Sequence, residues 1–206
     1  MSDETDWQKV AVAVAALKPF CIITGGPGTG KTTTVAKLLW LLTKQHQNKE
    51  FVVRLAAPTG KAAARLTESL RGAANQLPGD VSLPDECTTI HRLLGVKRHS
   101  SQFHHHQGNP LKLDMLIVDE ASMIDLPLLS KLFDAIPNHA RVALLGDNNQ
   151  LASVEVGSVL GDICGVKPHA SVFSPQMTQQ LQRLTDNTIE SQPQLPHIAN
   201  NLVHLQ

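Results

Sequence analysis

Four short runs of apolar residues recur along the chain, and each is almost uniformly hydrophobic instead of alternating with polar residues. They are Phe20–Thr24, Phe51–Ala57, Met115–Asp119 and Arg141–Gly146. Strands of a parallel sheet that helices cover on both sides have this pattern, because neither side of such a strand faces water. The runs therefore predict four strands of a parallel sheet.

Between these runs, the apolar residues follow the spacing of helices. In residues 31–45, Val35, Leu38, Leu39 and Leu42 recur at the i, i+3, i+4, i+7 positions that lie on one side of a helix. Further helices are predicted at about Trp7–Leu17, Lys61–Arg71 and Ser122–Ile136. The alternation of helix and strand predicts an α/β fold with a doubly wound parallel sheet and right-handed crossovers.

The pattern weakens in two places. Residues 72–112 are too long and too rich in Pro, Gly and polar residues for one crossover, so they predict an insertion with loops and a short helical piece at Thr88–Leu94. Residues 167–206 predict an irregular extension with a short helix near Gln176–Leu184. We therefore expect one domain over residues 1–166, followed by this extension.

A glycine-rich segment follows the first predicted strand and matches the phosphate-binding pattern G-x-x-x-x-G-K-[ST] in full. Glycines let the backbone bring N–H groups close to phosphate oxygens, and the next helix presents its positive end to the anion. In such a loop the lysine reaches the β- and γ-phosphates, and the following hydroxyl is a ligand for Mg²⁺. The residues expected around the nucleotide are Gly25, Gly26, Pro27, Gly28, Thr29, Gly30, Lys31, Thr32 and Thr33.

Two adjacent carboxylates, Asp119 and Glu120, end the third predicted strand. The carboxyl ends of parallel strands face the ligand crevice. Asp119 is therefore expected to hold Mg²⁺, and Glu120 to polarise the attacking water. A solvated acidic turn is the alternative interpretation, and the upstream phosphate loop disfavours it.

Gln150 follows the fourth predicted strand in Gly146-Asp147-Asn148-Asn149-Gln150. A glutamine beside the γ-phosphate can orient water without carrying a charge, so we expect a catalytic role. The segment is also ideal sequence for a polar turn, and both interpretations hold if the turn delivers Gln150 to the nucleotide.

Composition and charge change this picture only slightly. The chain has 206 residues with 18 basic and 18 acidic side chains, yet residues 1–113 carry a net charge of +6 and residues 114–206 a net charge of −6. Zero net charge therefore does not exclude a nucleic-acid partner. No apolar run approaches the roughly 18 residues of a membrane span. Three cysteines without short spacing favour a reducing compartment, the cytoplasm.

Several blocks together resemble the motifs of superfamily 1 DNA helicases, and in particular the RecD-type family, the alpha subunits of exodeoxyribonuclease V. The blocks are residues 57–63, 88–95, 119–125 and 146–154, and with the residues around them they cover about 5–166. The resemblance implies a RecA-like P-loop NTPase fold, binding of ATP and Mg²⁺, and single-stranded DNA as a partner. It also implies 5′→3′ unwinding in double-strand-break repair, together with other exodeoxyribonuclease V subunits.

The resemblance assigns DNA contacts to two segments. Thr59, Gly60 and Lys61 match positions that contact the strand backbone, which suits a strand-to-helix turn with free N–H groups and an added positive charge. The alternative is a similar turn without a ligand. Thr89 and His91 match further contacts, although a packed histidine accounts for His91 equally well.

Gln8 matches the family's adenine-reading glutamine, with a surface residue of an amphipathic helix as the alternative. Asn148 and Asn149 stand where the family often has charged residues. The motifs of the family's second motor domain, including its arginine fingers, have no counterpart after Gln150. We therefore expect one motor domain, as a fragment or a truncated product, that binds Mg·ATP and hydrolyses it weakly.

Three consecutive histidines, His104, His105 and His106, predict a solvated loop and not a metal site, since neighbouring side chains of an extended chain point to opposite sides.

Three alternative interpretations of the whole chain remain open. They are a helicase of a stand-alone RecD-like or relaxase-linked branch, a nucleotide-binding interaction module that is not a motor, and a chain that does not bind nucleotide.

Overall fold

A computed structural model describes residues 5–46, 50–79, 83–84, 86–97, 100, 102–147, 159–164, 171–196 and 198–206. The helices in these residues are α1 (Trp7–Leu17), α2 (Lys31–Gln45), α3 (Gly60–Ala74), α4 (Ile90–Leu94), α5 (Leu126–Ala135), α6 (Val159–Cys164) and α7 (Pro175–Thr185). The strands are β1 (Phe20–Thr24), β2 (Val53–Ala57), β3 (Cys87–Thr89), β4 (Met115–Val118), β5 (Arg141–Gly146) and β6 (Leu202–His204). Single 3-10 turns lie at Ala121–Met123 and Ala199–Asn201.

The strands form one sheet in the order β3-β2-β4-β5-β1-β6, and every pairing in it is parallel. The predicted doubly wound parallel α/β fold is confirmed. β5 lies between β1, which leads into the glycine-rich loop, and β4, which leads into the acidic pair. All three strands therefore end at the same edge of the sheet, side by side.

The central strands are mostly apolar because the sheet separates two hydrophobic cores. In β1, Ile23 belongs to the core that also contains Leu38 of α2 and Leu66 of α3. Its neighbour Ile22 points the other way, into the core with Leu129 of α5. Successive side chains of a strand point to opposite faces, so a strand buried on both faces favours apolar residues at most of its positions.

Most predicted elements shift by a few residues at their ends, as where α4 begins at Ile90 and not at Thr88; three differences are larger. Strands β3 and β6 were not predicted, because three residues are too few to show a periodic pattern. The helix expected to begin at Ser122 begins at Leu126, since Asp125 caps it by accepting a hydrogen bond from Leu128 N at 2.7 Å. The segment expected to be irregular beyond the helix near 176–184 supplies β6, which pairs with β1.

Most described helices begin with a side-chain cap, and α2 does not. Asp6, Thr59 and Thr89 each accept a hydrogen bond from a backbone N–H in the first turn of the helix that follows. The residue in the same position before α2 is Gly30, which has no side chain. The first N–H groups of α2 thus remain for another acceptor. Among the described helices, none is both long and apolar enough to cross a membrane.

Candidate nucleotide and DNA-strand site

The glycine-rich loop between β1 and α2 adopts a conformation that requires glycine at two positions. Gly28 and Gly30 have φ angles of +82° and +88°, in the left-handed region that other residues rarely adopt. The loop is held to the sheet by Gly25, whose N–H donates to the carbonyl oxygen of Gly146 in β5 at 3.3 Å. The loop and the uncapped end of α2 together form a concave set of N–H groups that suits a phosphate.

The Lys31 side chain folds back over this loop. Its Nζ donates to the carbonyl oxygens of Gly25 at 2.5 Å and Gly26 at 3.0 Å. The Thr29 hydroxyl also donates to Gly26, at 2.9 Å. Lys31 therefore lies across the loop, while Thr32 and Thr33 lie half-buried in the first turn of α2. This is where the sequence placed the phosphate-binding residues, although their contact with nucleotide stays a prediction.

The acidic pair follows β4 in an unusual backbone conformation. Glu120 has a φ of +51° and a ψ of +36°, the left-handed region, although it is not a glycine. Such strain is common at functional sites, where the surrounding structure maintains it. Asp119 is anchored through its N–H, which donates to the carbonyl oxygen of Ala56 in β2 at 2.9 Å.

Burial raises the pKa of the Asp119 carboxyl above its ordinary value. The Glu120 carboxylate raises it further, whereas the N–H of Glu120 and the charge of Lys31 lower it. The positive charge of Lys31 thus acts on the Asp119 carboxyl at this edge of the sheet. A half-buried carboxylate with a threonine hydroxyl from the loop is an oxygen donor set of the kind that Mg²⁺ prefers, so the residues fit the expected ion.

β5 ends between the loop and the acidic pair. A Cβ atom added to Gly146 would collide with the end of the Leu160 side chain, so α6 lies close over the end of this strand. Asp147 is buried at the end of the strand. The predicted catalytic Gln150, with Asn148 and Asn149, lies outside the described residues.

Gln8 lies in α1, directly against the glycine-rich loop. Its Nε2 donates to the carbonyl oxygen of Thr29 at 3.4 Å, and its Oε1 accepts from Lys37 Nζ at 2.9 Å. A Cβ atom on Gly30 would collide with the Gln8 amide. Gln8 is thus half-buried and hydrogen-bonded to the loop, and both its adenine-reading role and the alternative of a surface residue on an amphipathic helix stay open.

The two segments predicted to contact DNA lie beside each other. Thr59 follows β2, and Thr89 ends β3, whose register with β2 pairs Ala57 with Thr89. Each threonine hydroxyl accepts an N–H at the start of its helix, at 3.2 Å in both cases. Each hydroxyl can still donate its own hydrogen to a phosphate oxygen. Gly60 and Lys61 are exposed in the first turn of α3.

His91 in α4 is also exposed, and its ring packs edge-on against Phe103 with centroids 5.8 Å apart. The packing interpretation is thus supported without excluding a contact to DNA. The nearby His105 and His106 make local contacts, through Nδ1 with Asn109 O at 3.2 Å and with Gly108 N at 3.1 Å. In the described part of the chain, no three His, Cys, Asp or Glu side chains are grouped so that they could hold a metal ion.

The glycine-rich loop rests on a support that no sequence motif marks. The Thr24 hydroxyl is 3.0 Å from His204 Nδ1, and Leu205 N donates to Thr24 O at 2.7 Å. A Cβ atom on Gly25 would lie 3.1 Å from Leu205 Cβ, so the end of the chain packs against the start of the loop. No local pattern reveals this contact, because it joins residues about 180 positions apart. Lys37 was missed because its partner Gln8 lies in a different helix, 29 positions away.

Comparison with known proteins agrees with this geometry. A family model described as an AAA domain matches residues 8–156. The chain is 49% identical over 169 residues to the RecBCD enzyme subunit RecD of Haemophilus influenzae and 45% identical over 167 residues to that of Mycolicibacterium smegmatis. It covers 26% and 29% of those proteins, which in turn match 78% and 76% of this chain.

Two further comparisons concern a helicase sequence and a solved structure. The ATP-dependent RecD2 DNA helicase of Deinococcus radiodurans is 40% identical over 136 residues, which are 66% of this chain and 16% of that protein. The crystal structure of the Pif1 helicase from Candida albicans aligns with a TM-score of 0.52 at 18% identity, and covers 100% of this chain and 40% of its own. The structural likeness supports a shared P-loop, RecA-like fold.

Proposed function

We propose that this chain, which belongs to the AAA domain family and is homologous to RecD subunits, is the nucleotide-binding motor domain of an ATP-dependent DNA helicase. The observation that carries the proposal is the order of the sheet: β1, β5 and β4 end side by side, which places the glycine-rich loop with Lys31 and the acidic pair with Asp119 at one edge. Because the chain spans about a quarter of the length of its RecD relatives, the activity of the whole protein is part of the proposal.

The residues divide the chemistry among them. Lys31 leaves the Gly25 and Gly26 carbonyls to bind the β- and γ-phosphates, and the N–H groups of the loop and of α2 complete the cradle. Glu120 takes up the proton of the attacking water as its general base. Thr32 and Asp119 would hold a Mg²⁺ ion, which would neutralise charge on the phosphate oxygens. Gln150 orients the water.

Single-stranded DNA binds along Thr59–Lys61 and Thr89–His91, at the edge formed by β2 and β3. The N–H groups at the start of α3 and the Lys61 ammonium contact phosphates and carry no sequence preference. In the whole protein, ATP hydrolysis drives 5′→3′ unwinding in double-strand-break repair, alongside the other subunits of an exodeoxyribonuclease V. The three cysteines of this chain are free thiols, as expected for a protein of a reducing compartment such as the cytoplasm.

Titration of a fluorescent ATP analogue into this chain tests the proposal. We expect binding that Lys31→Ala weakens at least tenfold, because a charge-assisted contact to phosphate is worth about 1.5–3 kcal/mol. Single-stranded oligonucleotide should bind with an affinity that falls as salt increases. Nucleotide binding without DNA binding would support an interaction module instead, and no binding of either would contradict the proposal.

Hydrolysis by the chain alone is expected to be weak. An arginine finger contributes roughly 10³-fold or more to phosphoryl transfer, and the sequence shows no motif after Gln150 that would supply one. A phosphate-release assay with and without single-stranded DNA measures this. DNA-stimulated turnover comparable to that of an intact helicase would show that the expectation is wrong.

A further inference from the structure

The Gln8 amide is held at both ends by protein groups that differ in chemistry. Lys37, two turns into α2, donates from Nζ to Gln8 Oε1 at 2.9 Å. On the other side, Gln8 Nε2 donates to the carbonyl oxygen of Thr29 at 3.4 Å. The bare backbone of Gly30 allows the amide to lie this close to the loop.

Both partners favour the same orientation of the amide. An ammonium group has only donors, and a carbonyl oxygen has only lone pairs. Rotating the amide by 180° would place its NH₂ against the Lys37 ammonium and its oxygen against the Thr29 carbonyl. The rotated state loses two hydrogen bonds and gains two repulsive contacts. Thr29 O is the more distant partner, so the charged Lys37 contributes the larger share of the preference.

The remaining hydrogen-bonding capacity of the amide has a defined pattern. Oε1 keeps one lone pair, and Nε2 keeps one N–H. Adenine presents an amino donor at N6 beside an acceptor at N7, whereas guanine presents acceptors at both O6 and N7. A glutamine fixed in this orientation complements adenine at both atoms, and its oxygen opposes O6 of guanine.

We propose that Lys37 is a positioning residue that sets the orientation of the Gln8 amide and thereby makes the site select adenine over guanine nucleotides. This inference rests on the proposed function, since it requires a nucleotide on the glycine-rich loop. Lys37 acts through Gln8 and makes no contact with the nucleotide.

Competition of unlabelled ADP and GDP against fluorescent ADP tests the proposal on this chain. The quantity of interest is the ratio of the GDP Kd to the ADP Kd. In Lys37→Met, which keeps the aliphatic stem and removes the ammonium, we expect this ratio to fall about three- to tenfold, as for one lost hydrogen bond. Lys37→Arg should restore most of the ratio, because it keeps a cationic donor.

Two controls separate positioning from a structural effect. Lys44→Met makes the same change on an exposed residue of the same helix and should leave the ratio unaltered. A purely structural role of Lys37 would weaken ADP and GDP equally, so an unaltered ratio in Lys37→Met would overturn the proposal. The ratio compares two ligands on one protein sample and is therefore insensitive to the fraction that is folded.

The Gln8→Ala variant distinguishes the failure of this inference from failure of the proposed function. We expect Gln8→Ala to lower the ratio, and Lys37→Met to lower it no further in that background. A further decrease would show that Lys37 acts independently of Gln8. If Gln8→Ala leaves the ratio unaltered, the roles of Gln8 and Lys37 both fail. If Lys31→Ala leaves ADP affinity unchanged, the nucleotide site itself fails.

Discussion

Alanine substitution at two glycines of the loop isolates the contact between the loop and Gln8. Gly28 and Gly30 have φ angles of +82° and +88°, so an alanine at either one is strained by about 1–2 kcal/mol. A Cβ atom on Gly28 would have nothing within 4 Å, whereas one on Gly30 would collide with the Gln8 amide. The difference in the free energy of unfolding between the two alanine variants therefore measures the effect of displacing Gln8.

The expected magnitudes follow from these contacts. Gly28→Ala should lower the free energy of unfolding by about 1–2 kcal/mol, from backbone strain alone. Gly30→Ala adds the loss of the Gln8 bonds to Thr29 and Lys37, which is worth about a further 1 kcal/mol, since both bonds are only partly buried. In addition, Gly30→Ala should lose most of the selectivity for ADP over GDP.

Urea unfolding measures the free energy of unfolding of each variant, and competition of ADP and GDP measures the nucleotide selectivity. Gly72→Ala serves as the control, because Gly72 lies in α3, and an added Cβ there would have nothing within 4 Å. That variant should be more stable than the parent by about 0.4–1 kcal/mol. If Gly30→Ala matches Gly28→Ala in stability and retains the selectivity for ADP, then Gln8 is not held against the loop in solution.

Three further predictions concern other parts of the site. Asp119→Asn should stabilise the nucleotide-free chain near neutral pH. Because the pKa of Asp119 is higher in the folded chain than its ordinary value of 3.8, ionisation of Asp119 lowers the stability of the folded chain as the pH rises from 3.8 through the folded pKa. Urea unfolding as a function of pH checks it, and the two proteins should converge at low pH. Lys61→Ala should reduce the magnitude of the slope of log affinity for single-stranded DNA against log salt concentration by about 0.7–1. Fluorescence-anisotropy titrations at several salt concentrations measure this slope, and an unchanged slope would show that Lys61 does not contact the DNA. Thr24→Val should lower the free energy of unfolding by about 1–2 kcal/mol, because it removes the hydroxyl that lies 3.0 Å from His204 Nδ1. Thermal unfolding measures this, and a variant as stable as the parent would show that the contact does not support the loop.

The glycine-rich loop and the central strands could be predicted because the sequence patterns that indicate them each lie within one short segment. The glycines and Lys31 lie within one segment, and the uniform apolar character of β1 and β5 reflects burial on both faces of each strand. The position of the acidic pair could also be inferred, because parallel strands end at a common edge. The three-residue strand β3 escaped prediction because it shows no periodicity.

The sequence by itself determined the class of fold, the glycine-rich loop and the expectation that Asp119 would face the ligand crevice at the same edge of the sheet. Only the tertiary structure decided which residues support that loop. Lys37 reaches Gln8 because α1 packs on α2, and His204 reaches Thr24 because β6 pairs with β1 about 180 residues away along the chain. Contacts between distant segments leave no pattern in either segment alone, since each side chain is compatible with many partners until the sheet order brings one of them within hydrogen-bonding distance.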